Sequence, residues 1–275
     1  MKRNHDASTI DSFSDEWARF DQSEISALEA GGIFEEHFAL FLCDKLPMNV
    51  IDFEMGCGSG RWAKLLAQRV GHFHCIDPQS YLKVAKLALS TTTNMSFHRA
   101  TVDDIQLPKS SHDFGYSLSV LYHVPDTSAA IQACVDMLKP GAPFLLYRHD
   151  AFANHCLAFK MLWRCADLVR LAVYRLPASL KHLVTDILAV MIYYPLARIF
   201  LLAESLYFAI FSIPLSFYRN HSSYTMRTDS RDRFGTPLQQ RFTRREIAVM
   251  METAVLKNVH FSHRAPNWSA VGVKK

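Results

Sequence analysis

The stretch VIDFEMGCGSGRWAKLL, residues 50–66, decides the fold of this chain. It begins with apolar and β-branched residues typical of a strand, turns through Gly56, Gly58 and Gly60, and continues into a helical apolar pattern that ends at Gly71. Glycine permits left-handed backbone angles and lets a ligand approach the main chain closely. The first amides of a following helix favour a polar or anionic group. The pattern predicts a strand, a ligand-binding glycine turn and a helix.

A second apolar segment, residues 70–76, ends at Asp77, about twenty residues after the first glycine. In nucleotide-binding α/β units an acid at this place binds the hydroxyls of the ribose. The alternative interpretation is an ordinary strand, turn and helix with an acid on the surface. The combination of glycine spacing and acid favours the nucleotide site.

These residues carry a resemblance to a known family: Glu54, Gly56, Gly58, Gly60 and Asp77. They resemble motif I and the acidic second loop of the class I S-adenosylmethionine-dependent methyltransferases. Dinucleotide-binding dehydrogenases have a hydrophobic residue two places before their first glycine, where this chain has Glu54. The resemblance covers roughly residues 50–150 closely, together with the last forty or so. The whole chain also resembles a bacterial branch of the family with an apolar helical insertion after the fifth strand.

The resemblance implies S-adenosylmethionine as the cofactor, bound by the five residues just named and by the ends of the next strands. Asp103 matches an acid five residues before a proline, and it would accept a hydrogen bond from the adenine amino group. The amide of Asp104 would meet a ring nitrogen. A solvated acidic turn is the alternative there. Leu118 and Ser119, in the fourth predicted strand, would lie beside the cofactor.

The sequence indicates the residues that would bind the methyl acceptor less clearly than those that would bind the cofactor. The segment LYHVPD, residues 121–126, resembles the family's LHH-x-P-D segment, with Tyr122 in place of the first histidine. His123 and His149 are the candidate general bases, with Asp150 or Tyr122 as partner, because histidine titrates near neutral pH. Packing or a backbone hydrogen bond is the alternative for His123.

Three further residues are candidates for contact with the substrate. Trp17 and Phe20 belong to an N-terminal aromatic segment that could stack on a ligand, although such aromatics more often pack in the core. Arg227 belongs to residues 219–240, which we expect to form a mixed-charge loop. Such a loop is usually solvated, but beside the active edge it could orient a polar head group.

The element pattern predicts an α/β fold, and the resemblance specifies a doubly wound, seven-stranded Rossmann-like sheet that is mostly parallel with its last strand antiparallel. The expected division is N-terminal cap helices over 1–49, the cofactor-binding sheet domain over 50–150 and 236–275, and an apolar helical lid over 151–235. Within the cap, residues 1–12 are expected to be a loose tail, and a helix is expected over 33–46.

Residues 151–220 are strongly apolar and helical in pattern. Prolines at 177, 195 and 214 and scattered charges are expected to divide this stretch into short helices rather than a transmembrane hairpin. A lid over a greasy substrate, a dimer surface and an interfacial membrane contact are the roles left open.

Composition excludes several classes of function. The net charge of +4 is too small to indicate nucleic-acid binding, and the DNA amino-methylation motif is missing. The six cysteines are scattered without a C-x-x-C pair, which argues against a metal site and for a reducing compartment. The polar N-terminus has no secretory signal. We therefore expect a cytoplasmic protein, with contact at the inner membrane face or a homodimer as further expectations.

The combined expectation is methyl transfer from S-adenosylmethionine to a small or amphipathic acceptor, such as a lipid-linked sugar, an acyl acid or a secondary metabolite. The reaction would be an in-line displacement assisted by a positioned base. The alternative is a non-catalytic protein that keeps the cofactor fold and uses its insertion to dimerise or bind a membrane surface. An RNA methyltransferase and a nicotinamide-dependent dehydrogenase are weaker alternatives.

Overall fold

The computed structural model describes residues 3–41, 46–47, 49–78, 82–149, 157–207, 213–262 and 267–275. For residues 148, 149, 158, 267 and 268 only the main chain is described.

Seven strands form one sheet. They are β1 (Ile51–Met55), β2 (His72–Ile76), β3 (Met95–His98), β4 (Phe114–Leu118), β5 (Pro143–His149), β6 (Leu256–Phe261) and β7 (Asn267–Lys274). Their order is β3-β2-β1-β4-β5-β7-β6. The first five strands pair in parallel, whereas β7 runs antiparallel to both β5 and β6. The predicted fold class is therefore confirmed.

Ten α-helices flank this sheet or follow it within the described residues. They are α1 (Ala7–Arg19), α2 (Ala27–His37), α3 (Ala63–Leu66), α4 (Leu82–Ala88), α5 (Thr127–Met137), α6 (Leu157–Val173), α7 (Ala178–Leu188), α8 (Tyr194–Ser205), α9 (Ser223–Gly235) and α10 (Arg244–Thr253). A π-helical turn, Ala189–Tyr193, joins α7 to α8.

The sheet lies between two apolar layers. On one face, Phe53 and Leu146 pack with α5 and α10. On the other face, Phe73 and Tyr116 pack with α2 and α3. Strands covered on both faces have few exposed positions, which explains the near-continuous apolar runs in their sequence. A separate small core around Tyr193 holds the helices of the insertion together.

The N-terminal elements differ from the sequence expectations. The part of the expected loose tail that the structure describes is ordered, because α1 begins at Ala7 and Asp6 caps it by accepting a hydrogen bond from the Thr9 amide at 2.8 Å. The helix expected over 33–46 is α2, which begins at Ala27 and ends at His37. Residues 42–45 lie outside the described residues.

The insertion is less divided than expected. Ala178–Ser205 is helical throughout its 28 residues. By length and composition alone, this is the one helix among the described residues that could cross a membrane. Pro195 stands at the start of α8, directly after the π turn. The wider turn accommodates a residue that lacks an amide hydrogen, so this proline does not end the helix.

The largest correction concerns residues 219–240. The expected solvated loop is wrong, because α9 occupies Ser223–Gly235 and buries eight of its residues. Ser222 caps it by accepting from the Thr225 amide at 3.2 Å. No proline or glycine occurs between 221 and 234, which is a helix signal in the sequence. The division into cap, sheet domain and lid stays a prediction.

Candidate active site

The glycine turn lies at the carboxyl ends of β1 and β4. Gly56 has a φ of +82°, and a Cβ built on it would lie 2.3 Å from a methyl carbon of Val120. Gly58 has a φ of +52°, and its Cβ would lie 3.0 Å from the Trp17 indole. Gly60 is also left-handed, at +79°. Both conformation and space therefore require glycine at this turn.

Asp77 ties the end of β2 to this turn. Its carboxylate accepts a hydrogen bond from the Gly58 amide at 2.9 Å, and its side chain is buried. Glu54, at the end of β1, is 1 % exposed, and its Oε2 has no hydrogen-bond partner among the described residues. Burial and then the nearby charge of Asp77 raise the pKa of Glu54 to about 8.

One cavity of about 590 Å³ extends from the glycine turn into the insertion. Gly56, Gly58, Asp77, Leu118 and Ser119 line one end of it. The opposite walls come from α1, α6, the π turn, α8 and α9. Trp17 also lines this cavity, so seven of the predicted site residues, counting His123, meet in one space.

His123 is almost fully buried, and its Nδ1 lies 2.6 Å from the carbonyl oxygen of Leu238. A carbonyl only accepts, so we assign the ring hydrogen to Nδ1. This tautomer leaves the lone pair on Nε2, which lies 3.9 Å from Oδ1 of Asp232. The edge of Phe13 packs on the ring at 4.8 Å between centroids. His123 is thus held in one orientation at the cavity wall.

Three carboxyl groups that the sequence did not single out line the same cavity: Glu16, Asp229 and Asp232. Glu16 is 1 % exposed, and in the described part of the chain its Oε2 has no hydrogen-bond partner. Asp229 accepts a hydrogen bond of 2.9 Å from the Tyr218 hydroxyl. Burial, and next the charge of Asp229, raises the pKa of Asp232 to about 7. Burial also raises the pKa of Glu16 and Asp229.

The adenine end of the predicted site is covered by the N-terminus. Asp103 accepts hydrogen bonds from the Asn4 amide at 3.0 Å and the Thr101 hydroxyl at 2.6 Å. The Asn4 side chain also donates to the carbonyl of Asp126 at 2.8 Å. Asp104 lies on the same exposed turn. No motif in the sequence predicts that Asn4 contacts this turn.

Three predicted residues lie elsewhere. Phe20 is buried against the ring of Tyr224, away from the cavity wall. Arg227 pairs with Asp186 at 3.1 Å, and it does not line the cavity. Tyr122 is buried beside the His123 ring, with centroids 4.1 Å apart.

The predicted pair after β5 receives no structural test. The main chain of His149 pairs with Asn267 of β7, and the His149 side chain lies outside the described atoms. Asp150 lies outside the described residues.

The comparisons with known proteins identify the class. Residues 53–146 match the family model of the methyltransferase domain. The chain is 30 % identical over 141 residues to a ubiquinone biosynthesis O-methyltransferase of Marinobacter nauticus, covering 44 % of this chain and 59 % of that protein. It is 33 % identical over 92 residues to the protein of the same name from Hahella chejuensis, covering 32 % and 39 %. The chain therefore spans about half the length of the curated relatives it matches.

Solved structures share the whole architecture at low identity. The N-methyltransferase NodS of Bradyrhizobium japonicum, in complex with S-adenosylhomocysteine, has a TM-score of 0.52 and 12 % identity, covering 97 % of this chain and 98 % of that one. A Burkholderia thailandensis 1,6-didemethyltoxoflavin N1-methyltransferase has a TM-score of 0.53 and 11 % identity, covering 98 % and 88 %. These likenesses show the fold.

The seven-stranded sheet, its glycine turn and the match to the methyltransferase domain support a class I S-adenosylmethionine-dependent methyltransferase. Residues 53–146 are the part of the chain that matches the methyltransferase domain. S-adenosylmethionine is the cofactor of the class. The turn, in which no Cβ fits, and the unpartnered oxygen of buried Glu54 suit a polar ligand bound close to the main chain.

Proposed function

We propose that the protein transfers a methyl group from S-adenosylmethionine to a small, amphipathic acceptor. The observation that carries this proposal is the single cavity that joins the glycine turn and Asp77 to apolar side chains of α6 and α8. A cofactor bound at the turn and an acceptor bound among the apolar side chains would share one water-poor space. Ligand sites commonly have this form, mostly apolar with a few placed polar groups.

Different residues would bind different parts of the cofactor. The carboxylate of Asp77 would take the ribose hydroxyls, and the turn would bring main-chain amides against the cofactor. Asp103 and Asp104 would meet the adenine, with Asn4 closing over them. When bound, the cofactor supplies an electrophilic methyl group. The remaining requirement is to orient an acceptor atom in line with it.

His123 is the candidate general base. Its Nδ1 hydrogen is donated to the Leu238 carbonyl, so the lone pair is on Nε2, which lies 3.9 Å from Asp232, and both residues line the cavity. A histidine fixed in this tautomer can take a proton from an acceptor that binds beside it. The nearby carboxyl group of Asp232 would stabilise the protonated ring, which supports the base role.

The exposed side of the insertion supports contact with a membrane surface, with the acceptor entering from lipid. Large apolar side chains are exposed along α7, the π turn and α8, including Leu183, Val190, Met191 and Leu202 at 55–69 %. Ile192 and Leu196 of the same helical run line the cavity. An apolar patch of this kind marks a protein or membrane contact. The site of action would then be the inner face of the membrane.

Flotation with anionic liposomes tests this contact. We expect the wild type to float and Val190→Glu to remain in the dense fraction. Val249→Glu is the matched control, because Val249 is 54 % exposed on α10, close to the 57 % of Val190. The opposite outcome is a wild type that stays in the dense fraction and sediments as a dimer, while Val190→Glu is monomeric. That result would show that the exposed apolar residues form a homodimer interface instead of a membrane contact.

Methyl transfer is tested with S-adenosylmethionine labelled in its methyl group, supplied with a lipid extract or a water-soluble extract of the source cells. We expect label in the lipid fraction with the wild type and a large loss with Asp77→Ala. Binding of S-adenosylhomocysteine without labelling of either extract would favour the non-catalytic alternative, in which the insertion alone provides the function.

A further inference from the structure

Three carboxyl groups from α1 and α9 line the cavity, together with Arg61, Arg233 and Arg241. Glu16 comes from α1, and Asp229 and Asp232 come from successive turns of α9. Within the described ranges, none of the three carboxyl groups forms a salt bridge with an arginine or a lysine. Glu16 is 1 % exposed, faces the cavity and has an oxygen without a hydrogen-bond partner in the part of the chain that the structure describes.

The arginines nearest to these acids form hydrogen bonds and ring contacts with other groups, although the charges of Arg61 and Arg231 also act on the pKa of Glu16 and Asp232. Arg231 pairs with Asp15 at 2.7 Å, and it also donates to the main-chain oxygen of Ser12 at 3.2 Å. Arg61 donates to Gln22 at 2.9 Å and lies over the Trp62 ring at 4.0 Å. Arg233 and Arg241 also line the cavity, so the walls are not of one sign. All three carboxyl groups nevertheless belong to residues that line the cavity.

The far end of the cavity has the opposite character. Leu162 and Trp163 of α6, Ile192 of the π turn and Leu196 of α8 line it. Leu162 and Ile192 are also 60 % and 42 % exposed, so this apolar wall is continuous with the exposed apolar residues of the insertion. A ligand that fits both ends has a compact polar head and an apolar tail.

We propose that the methyl acceptor is an amphiphile with an amine head, bound as an ammonium ion by Glu16, Asp229 and Asp232, with its tail along α6 and α8. This inference rests on the proposed methyl transfer and names its substrate class. Among the described residues these three carboxyl groups form no salt bridge with an arginine or a lysine, and a cationic head would supply one. A carboxylate head would be repelled, so the acyl acids among the expected acceptors fit this cavity poorly.

The transfer step on such an acceptor balances with groups that the site contains. One ammonium hydrogen passes as a proton to Nε2 of His123, which lies 3.9 Å from Asp232. The nitrogen lone pair that this frees forms the new nitrogen–carbon bond to the methyl group. The carbon–sulfur bond breaks, and its electron pair stays on sulfur. The methylated amine still carries a positive charge, so the same carboxyl groups stabilise acceptor and product.

The test compares three probes of equal chain length: dodecylamine, dodecanol and dodecanoic acid, each below its micelle concentration. Each is titrated into the full chain saturated with S-adenosylhomocysteine, and methylated products are sought by mass spectrometry with S-adenosylmethionine present. We expect the amine to bind about tenfold or more tightly than the alcohol, the acid to bind weakest, and N-methyldodecylamine to form.

Variants separate head recognition from structural damage. Asp229→Asn combined with Asp232→Asn should weaken amine binding about tenfold or more while leaving alcohol binding unchanged, which a merely structural role would not do. Asp11→Asn, an exposed acid on α1, is the matched control and should bind like the wild type.

The outcomes keep the two proposals apart. Equal binding of amine and alcohol, or amine binding unaffected by the double variant, in a protein that still binds S-adenosylhomocysteine would overturn this inference and leave methyl transfer standing. Formation of a methyl ether or a methyl ester but no methylamine would do the same. A protein that does not bind S-adenosylhomocysteine would instead overturn the proposed function.

Discussion

The guanidinium group of Arg231 lies 2.7 Å from the carboxylate of Asp15, and this ion pair joins α9 to α1. Arg231 is fully buried, and it also donates to the main-chain oxygen of Ser12. His182 of α7 contacts the same carboxylate at 2.9 Å. Three helices that are distant in sequence therefore meet at Asp15, and α1 and α9 both line the cavity.

Replacing Arg231 by methionine should destabilise the protein by roughly 2–4 kcal/mol, because Asp15 loses one of its two partners and the Ser12 oxygen loses a donor. Urea unfolding at neutral pH measures the change. Arg227→Met is the control, since the partly exposed Arg227 pairs with Asp186 at the surface and should cost about 1 kcal/mol or less. A smaller loss for Arg231→Met than for the control would contradict this role.

Asp52 in β1 should make stability depend on pH. It is 0 % exposed, and among the described residues neither carboxylate oxygen has a hydrogen-bond partner. Burial and then the charge of Asp113 raise its pKa to about 8. Because the folded state holds the proton more tightly than the unfolded chain, the stability due to Asp52 is present at low pH. It is lost as pH rises from about 4 to about 8.

Asp52→Asn cannot titrate, so its free energy of unfolding should fall less between about pH 5 and about pH 8. We expect the difference between the two slopes to amount to roughly 2–4 kcal/mol over that interval. Denaturant unfolding at a series of pH values provides the measurement. Parallel curves for the variant and the wild type would show that Asp52 is ionised in the folded protein.

His123→Asn should lower the methyl-transfer rate roughly 10²–10⁴-fold if His123 is the base. Its affinity for S-adenosylhomocysteine should change little, because the imidazole is directed to Leu238 and Asp232 rather than to the glycine turn. Initial rates and calorimetry on the same preparation separate the two effects. An unchanged rate would show that another group removes the acceptor proton.

Gly56→Ala should destabilise the protein and abolish cofactor binding. Two costs add at this position, the left-handed backbone and the overlap of the new Cβ with Val120 at 2.3 Å. Gly141→Ala isolates the first cost, since Gly141 has a φ of +83° with nothing within 4 Å of its Cβ. We expect roughly 1 kcal/mol for Gly141→Ala and roughly 2–4 kcal/mol for Gly56→Ala, measured by urea unfolding. Equal losses would show that Val120 yields without cost.

The sheet was predictable because its signals are local. Buried parallel strands have sequences with continuous runs of apolar residues. The glycine turn between β1 and α3 is recognised from a few consecutive residues. Helix α9 was not predicted, because its polar sequence resembles a solvated loop unless the residues that pair with it are known. Arg231 pairs with Asp15, which lies 216 positions earlier in the sequence. Ser230 donates to the carbonyl of Thr185, which lies 45 positions before Ser230. Tertiary pairing at that distance leaves no local pattern.

The site divides in the same way. Gly56, Gly58 and Asp77 follow one another along β1 and β2, so their meeting follows from the strand order. Glu16 and Asp232 come together only because α1 and α9 pack on each other, and no spacing rule connects them. Arg227 carries the charge expected of a head-group contact, but Asp186 of α7 pairs with it.

Calorimetric titration with S-adenosylhomocysteine tests the central claim most directly, carried out on the wild type, Asp77→Ala and Asp11→Ala. The account predicts one binding site in the wild type and in Asp11→Ala. In Asp77→Ala we expect affinity to fall about tenfold or more, because the variant loses both the ribose ligand and the contact with the Gly58 amide. Absence of binding to the wild type, or equal binding to all three proteins, would contradict a cofactor site at the glycine turn.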